Sequence, residues 1–387
     1  MLPAYRVETV RGVKVAFIGA VLRNTASVVL ASGIAGLRFT DEADAINAAL
    51  AKARGEGASV FVVLIHEGAH TDENFAEPNC SRLAGPVVDI ANRLDPAIRL
   101  IISGHTHTGF LCKVNGRVIT QAEMGGHVLS RINLAVDPAT HAVRDIEVRN
   151  VVMTPGAWPA VPQVEQFLAS VKARSDSVLA TPVARIAAAS IGRRLDKAGE
   201  AALGDLAADA VLHATRAQGV QIGFMNIAGL RHDLDVGADM LVTQGQLQAV
   251  LPFSNTLVLM DLSGAQLLTL LEQQWARGAT EPTRSMLQVS QGFTYQWSAA
   301  RAQGARIVPG SVKLNGQAIV ADASYRIAVN NFLAEGGDNL PMFREGSKRD
   351  NTGLRDVDGL RAYLIARDKA GQPAGSAMPA GRIVRVE

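Results

Sequence analysis

The sequence predicts an α/β fold in two parts joined by a helix. A continuous apolar run at 60–65 has the pattern of a strand buried on both faces, 98–103 reads as a second buried strand, and each ends abruptly at a loop carrying histidine. Helical stretches at 41–54, rich in alanine, and 83–94 alternate with them, and strand–helix–strand alternation places helices against a sheet. Pro155, Gly156, Pro159 and Pro162 then cluster, and a second strand–helix series begins near Val183.

Each element has its own reason. The chain opens on β-rich runs at 5–10 and 13–18, separated by Arg11-Gly12, which reads as a hairpin; a later one turns at Asn115-Gly116. A linking helix is expected over 163–171. In the second part a helix is expected over 201–214, buried strands over 221–225 and 256–261, a turn at Asn315-Gly316 and a strand over 325–329. The domain boundaries expected are 1–153, a linker with its helix over 154–180, and 181–387. No internal repeat or low-complexity tract is present.

Composition narrows the functional classes. A chain of 387 residues, 48% of them hydrophobic, is long enough for two ordinary domains with a large core. Aromatic residues make up only 5%, so each one in a polar or glycine-rich setting stands out. A formal net charge of +2 without a run of like charge argues against a groove for nucleic acid. No stretch reaches the roughly 18–20 apolar residues of a membrane helix, so no membrane partner is expected. Met1-Leu2-Pro3-Ala4-Tyr5-Arg6 lacks the basic start and apolar core of a signal peptide. Two cysteines, Cys80 and Cys112, leave open two free thiols or one disulfide.

Ligands collect at the carboxyl ends of parallel strands, and two such ends here carry imidazoles. Gly104-His105-Thr106-His107 follows the second of these strands, and His66 ends the first; neutral imidazole is a good ligand for zinc, manganese or iron. Gly104-His105-Thr106-His107, with Leu64-Ile65-His66-Glu67-Gly68 before it, resembles the last two metal-binding blocks of the calcineurin-like metallophosphoesterases. The resemblance implies part of that family's β-sandwich flanked by helices. It also implies two divalent metal ions (zinc, manganese or cobalt) activating a water to attack phosphorus, with His66 and His105 on one metal and His107 on the other. The family's earlier Asp-x-His and Gly-Asn-His blocks occur nowhere in the sequence, and Gly204-Asp205 and Gly337-Asp338 stand in other contexts. The expectation is therefore a chain lacking the first metal blocks, through a truncated gene, a misplaced start or a separately encoded N-terminal half, with metals held weakly or not at all and no catalytic residue assigned.

Four segments mark the second part: Phe224-Met225-Asn226-Ile227-Ala228-Gly229-Leu230-Arg231, Leu251-Pro252-Phe253-Ser254-Asn255, Leu287 to Tyr295 with Ser290-Gln291-Gly292, and Asn330-Asn331-Phe332 running to Gly336-Gly337-Asp338. In order and spacing they resemble the C-terminal domain of the 5′-nucleotidases, including the periplasmic UDP-sugar hydrolases, over about 183–345. The resemblance implies a nucleotide or nucleoside as partner. Phe253 and Phe332 would sandwich the base, Asp338 would accept from the ribose hydroxyls, and Asn255 and Gly292 would touch base or ribose. Arg231 would meet the phosphate, with Asn226 in the same binding set and Arg193 and Lys197 as the preceding basic pair. It implies hydrolysis of nucleotide phosphoesters in nucleotide catabolism, impaired in this chain, or a nucleotide-binding module without catalysis. Secreted members carry a cysteine pair at comparable places, which implies a Cys80–Cys112 disulfide and a periplasmic or secreted setting.

Overall fold

The computed structural model describes residues 3–76, 80–275, 279–283 and 285–387. They form two units, residues 1–25 with 36–165 and residues 26–35 with 166–387.

In the first unit β1 (Tyr5–Val10) and β2 (Val13–Val21) make the expected hairpin. There follow α1 (Glu42–Gly55), β3 (Val60–His66), α2 (Pro86–Arg93), β4 (Ile98–Ile102), β5 (Phe110–Val114), β6 (Arg117–Gln121), β7 (Val128–Val136) and β8 (Val143–Val152). A six-stranded sheet runs β1-β2-β3-β4-β6-β5, with β2, β3, β4 and β6 parallel; β7 and β8 form an antiparallel ribbon. Alternation along β3 explains its unbroken apolar run. Phe61, Val63 and Ile65 share a core with Ile46 and Leu50 of α1 and Val87 and Ile90 of α2, while Val60 and Val62 pack with Ile132, Leu134 and Ile146 of the ribbon. Asp41 caps α1 by accepting from the Asp44 amide at 3.1 Å. The second helix starts later than its periodicity suggests. Ala84 bridges to His70, and Gly85, at φ 149°, lies where a Cβ would sit 2.7 Å from Ala69 Cα, so helical geometry begins only at Pro86, whose missing N–H is harmless in the first turn.

The linking helix α3 (Pro162–Leu179) has 18 residues, about twice the expected length, because no proline or glycine interrupts it before Pro182. The unit boundary falls within it, between Glu165 and Gln166.

The second unit is also α/β, as its sequence pattern indicates. Its five-stranded sheet places Leu287–Val289, Ile222–Asn226, Ser324–Asn330, Thr256–Ser263 and Ser347–Arg355 side by side in that order. Helices α4 (Ala202–Thr215), α5 (Gln244–Val250), α6 (Gly264–Gln273), α7 (Asn331–Ala334) and α8 (Asp356–Lys369) complete it. One core joins Phe224, Trp275, Phe293, Tyr295, Trp297 and Phe343; a second joins Leu203 and Leu206 of α4 to Leu360 and Leu364 of α8. Register decides where a ligand can go. Ile222–Asn226 runs parallel to Ser324–Asn330, with Ile222 opposite Ile327, and the antiparallel Thr256–Ser263 sets Leu257 opposite Asn330. The segments after Asn226, after Asn330 and before Thr256 therefore meet at one end of the sheet, the carboxyl end of its parallel pair.

Candidate functional site

Two places carry the residues singled out by sequence. In the first unit, β3 ends at His66 and β4 ends just before Ser103. The Ser103 hydroxyl donates to the Glu67 carbonyl at 2.7 Å, and a Cβ on Gly68 would lie 2.4 Å from the Gly104 carbonyl, so the two strand-end loops press together. Thr106, buried between the histidines, donates to the Ala69 carbonyl at 2.8 Å and accepts from Gln121 Nε2 at 3.0 Å. His105 and His107 both take left-handed backbone, φ 68° and 58°, on either side of it. The His66 and His105 rings meet edge to face, centroids 5.1 Å apart.

That pair is two imidazoles, and a zinc-type site draws three or four protein ligands. Among the described residues no three His, Cys, Asp or Glu side chains converge on one point, so His66, His105 and His107 do not form a three-ligand set. The residues present do not by themselves fit a resident metal ion. Cys80 and Cys112 form a disulfide with a Cα separation of 4.9 Å, tying the segment before α2 to buried β5.

In the second unit the site assembles at the sheet end defined above. Asn226, the last residue of its strand, donates from Nδ2 to Asp338 Oδ2 at 2.6 Å. Its Oδ1 accepts from Asn330 Nδ2 at 2.9 Å, and Asn330 Oδ1 accepts from the Leu333 amide at 2.8 Å, capping α7. Asp338 itself is left-handed at φ 54°, and its carbonyl accepts from the Ser285 hydroxyl at 2.9 Å. Phe332 stands on α7 with its ring against Gly337: a Cβ there would sit 2.5 Å from ring atoms Cε1 and Cζ.

The segment between α5 and Thr256 arrives at the same end of the sheet. Phe253 is 56% exposed, and the Arg231 guanidinium lies over it, 5.6 Å from the ring centroid. Arg231 is held by its amide to the Val250 carbonyl at 2.9 Å and by Nη1 to the Ala228 carbonyl at 3.3 Å. Arg193 is brought to the same loop, its amide donating to Asp233 Oδ1 at 2.8 Å and its Nη1 to the Leu230 carbonyl at 3.4 Å; Lys197 is exposed in the turn that follows. The Asn255 carbonyl accepts from the Asp356 amide at 2.8 Å. Asp356, buried at the start of α8, has its carboxyl pushed up to about 6 by that burial, with the Val357 amide and the Asn255 side chain partly opposing.

Two residues differ from their sequence-based expectation. Gly292 is not brought to this end of the sheet. Strand Leu287–Val289 is antiparallel to Ile222–Asn226, with Leu287 opposite Asn226 and Val289 opposite Phe224, so the chain is leaving the site by residue 292. Gly292 there meets Asn315, whose amide donates to its carbonyl at 2.7 Å. Asn226 is only 2% exposed and both ends of its amide are engaged, so it holds Asp338 and is not itself presented to a ligand. Asn330 was not singled out, though an Asn directly before a short apolar helical stretch is a capping signal readable in sequence. Aromatic faces, a fixed carboxylate and a guanidinium at one sheet end suit a ligand that combines a planar ring, hydroxyl groups and an anion.

Comparison with known proteins agrees. Residues 179–345 match the family model described as 5′-nucleotidase, C-terminal domain. The chain is 28% identical over 370 residues to endonuclease YhcR of Bacillus subtilis, covering 95% of this chain and 28% of that protein. It is also 28% identical over 363 residues to cell wall protein Lmo0130 of Listeria monocytogenes, covering 89% and 45%. The chain thus spans less than half the length of either. A 5′-nucleotidase precursor from Thermus thermophilus superposes with a TM-score of 0.78 at 25% identity, over 99% of this chain and 75% of that one.

Proposed function

We propose, from the match of residues 179–345 to the model of the 5′-nucleotidase C-terminal domain, that the second unit binds a nucleotide through its base, ribose and phosphate, in the service of phosphoester hydrolysis. The observation that carries this reading is the gathering of Phe253, Phe332, Asp338 and Arg231 at the carboxyl end of the parallel pair. Phe253 and Phe332 stack on the base, each contributing roughly 1–3 kcal/mol. Asp338 accepts from the ribose hydroxyls, Asn255 touches base or ribose, and Arg231, with Arg193 and Lys197 nearby, meets the phosphate. Domain limits of 1–153, 154–180 and 181–387 suit this division of labour, with α3 as the linker.

Hydrolysis calls on divalent metal ions, and this chain contributes His66, His105 and His107 toward them. Since no three His, Cys, Asp or Glu side chains converge among the described residues, the 387-residue chain on its own is proposed to turn nucleotides over poorly while binding them well. The disulfide supports a periplasmic, secreted or cell-wall setting; no helix among the described residues is long and apolar enough to cross a membrane. Calorimetry with adenosine and AMP tests binding, and phosphate release from AMP with added manganese, cobalt or zinc tests turnover. Absence of binding at millimolar nucleotide refutes the site. Turnover above about 1 per second by the purified chain refutes the impairment.

A further inference from the structure

The chain of amides behind Asp338 has a direction. The Leu333 amide can only donate, so Asn330 must turn Oδ1 toward it and Nδ2 away. That Nδ2 can only donate, so Asn226 must offer Oδ1 to it and keep Nδ2 for Asp338. Each orientation is fixed by its predecessor, from a backbone N–H at one end to a carboxylate at the other. Both asparagines are buried, Asn226 at 2% and Asn330 at 1% exposure, where aligned hydrogen bonds polarise one another and no water competes. Asn330 also spans two functions: its oxygen caps the helix that carries Phe332, and its nitrogen sets the residue that holds Asp338.

We infer that Asn330 and Asn226 are positioning residues that fix the Asp338 carboxylate for a ribose, and that Asn330 couples the ribose contact to the base-stacking ring. This rests on the nucleotide reading of the site. The coupling explains why two adjacent backbone features, the left-handed Asp338 and the glycine packed on Phe332, occur in one turn. The turn presents a carboxylate whose placement depends on the same side chain that holds the ring's helix.

The test is the substitution Asn330→Asp. Aspartate has the same shape and caps helices as well as asparagine, so α7 and Phe332 stay in place. Its second oxygen, however, has no proton to give. Asn226 must then rotate its amide to donate to residue 330, turning Oδ1 toward Asp338, where oxygen faces oxygen. The measurement is calorimetric affinity of the full chain for adenosine and for 2′,3′-dideoxyadenosine, which keeps the base and lacks the hydroxyls. The wild type should prefer adenosine by about tenfold or more, the value of a hydrogen bond to a charged group. In Asn330→Asp the ratio should fall toward one, with dideoxyadenosine affinity within about twofold of wild type. Asn226→Leu, which cuts the chain without adding charge, should lower the ratio in the same way. A variant that keeps the wild-type ratio overturns the inference, as does an equal loss for both ligands, which would mark these asparagines as supports of the fold alone. A wild type that binds both nucleosides without preference overturns it too, leaving base stacking standing. A wild type that binds neither refutes the nucleotide reading itself.

Discussion

Replacing Gly337 by alanine should displace the Phe332 ring, proposed above to stack on the base, without touching it chemically. An alanine Cβ at this position would sit 2.5 Å from Phe332 Cε1 and Cζ and 2.7 Å from Cδ1. Carbon atoms are in comfortable contact at about 3.5–4.0 Å, so ring or turn must give way by about 1 Å. Gly337 is not among the residues of positive φ, so alanine meets no backbone strain and the effect reports the ring contact alone. Overpacking of this kind costs about 1–3 kcal/mol, and a displaced ring forfeits part of the roughly 1–3 kcal/mol of stacking. The assay is a double-mutant cycle on adenosine affinity with Gly337→Ala and Phe332→Ala, with urea unfolding run in parallel. Gly337→Ala should weaken binding by about tenfold alone and hardly at all once the ring is gone, a coupling of about 1–2 kcal/mol. An equal loss in both backgrounds would refute the steric link between Gly337 and Phe332.

Other outcomes follow from the same geometry. Phe253→Ala should weaken adenosine binding by roughly 1–3 kcal/mol with little change in unfolding midpoint, since the ring is mostly exposed; unchanged affinity in the calorimeter would remove it from the site. Cys80→Ser with Cys112→Ser opens a link of sequence separation 32, worth about 4 kcal/mol in the loop-entropy model. Denaturant unfolding should show the loss in the first unit only, with adenosine binding intact. Burial raises the Asp356 carboxyl from 3.8 to about 6, so the folded state holds its proton more tightly than the unfolded chain. Stability should therefore fall as pH climbs from about 4 to about 6, and Asp356→Asn should flatten that slope in urea titrations taken across the range.

The sequence by itself determined the local structure and much of the chemistry. The unbroken apolar run at 60–65 became β3 because a strand covered on both faces needs no polar side, and glycine after asparagine turned the hairpin at 115–116. The residues most visible in sequence were those with rare chemistry in odd company: His66 and His105 at strand ends, and Phe253 and Phe332 in a chain poor in aromatics. The tertiary structure decided what no local pattern encodes. Pairing register across residues far apart in sequence took Gly292 away from the site. It also set Asn330, Asn226 and Asp338 in one line, although 104 residues separate the first pair and 112 the second. Gly337 was legible as part of a turn, but its close approach to Phe332 arises only when α7 folds back on that turn. Propensity and periodicity act over a few residues, whereas the direction of a buried hydrogen bond is set by whichever donor the fold brings to it, and that depends on the whole sheet.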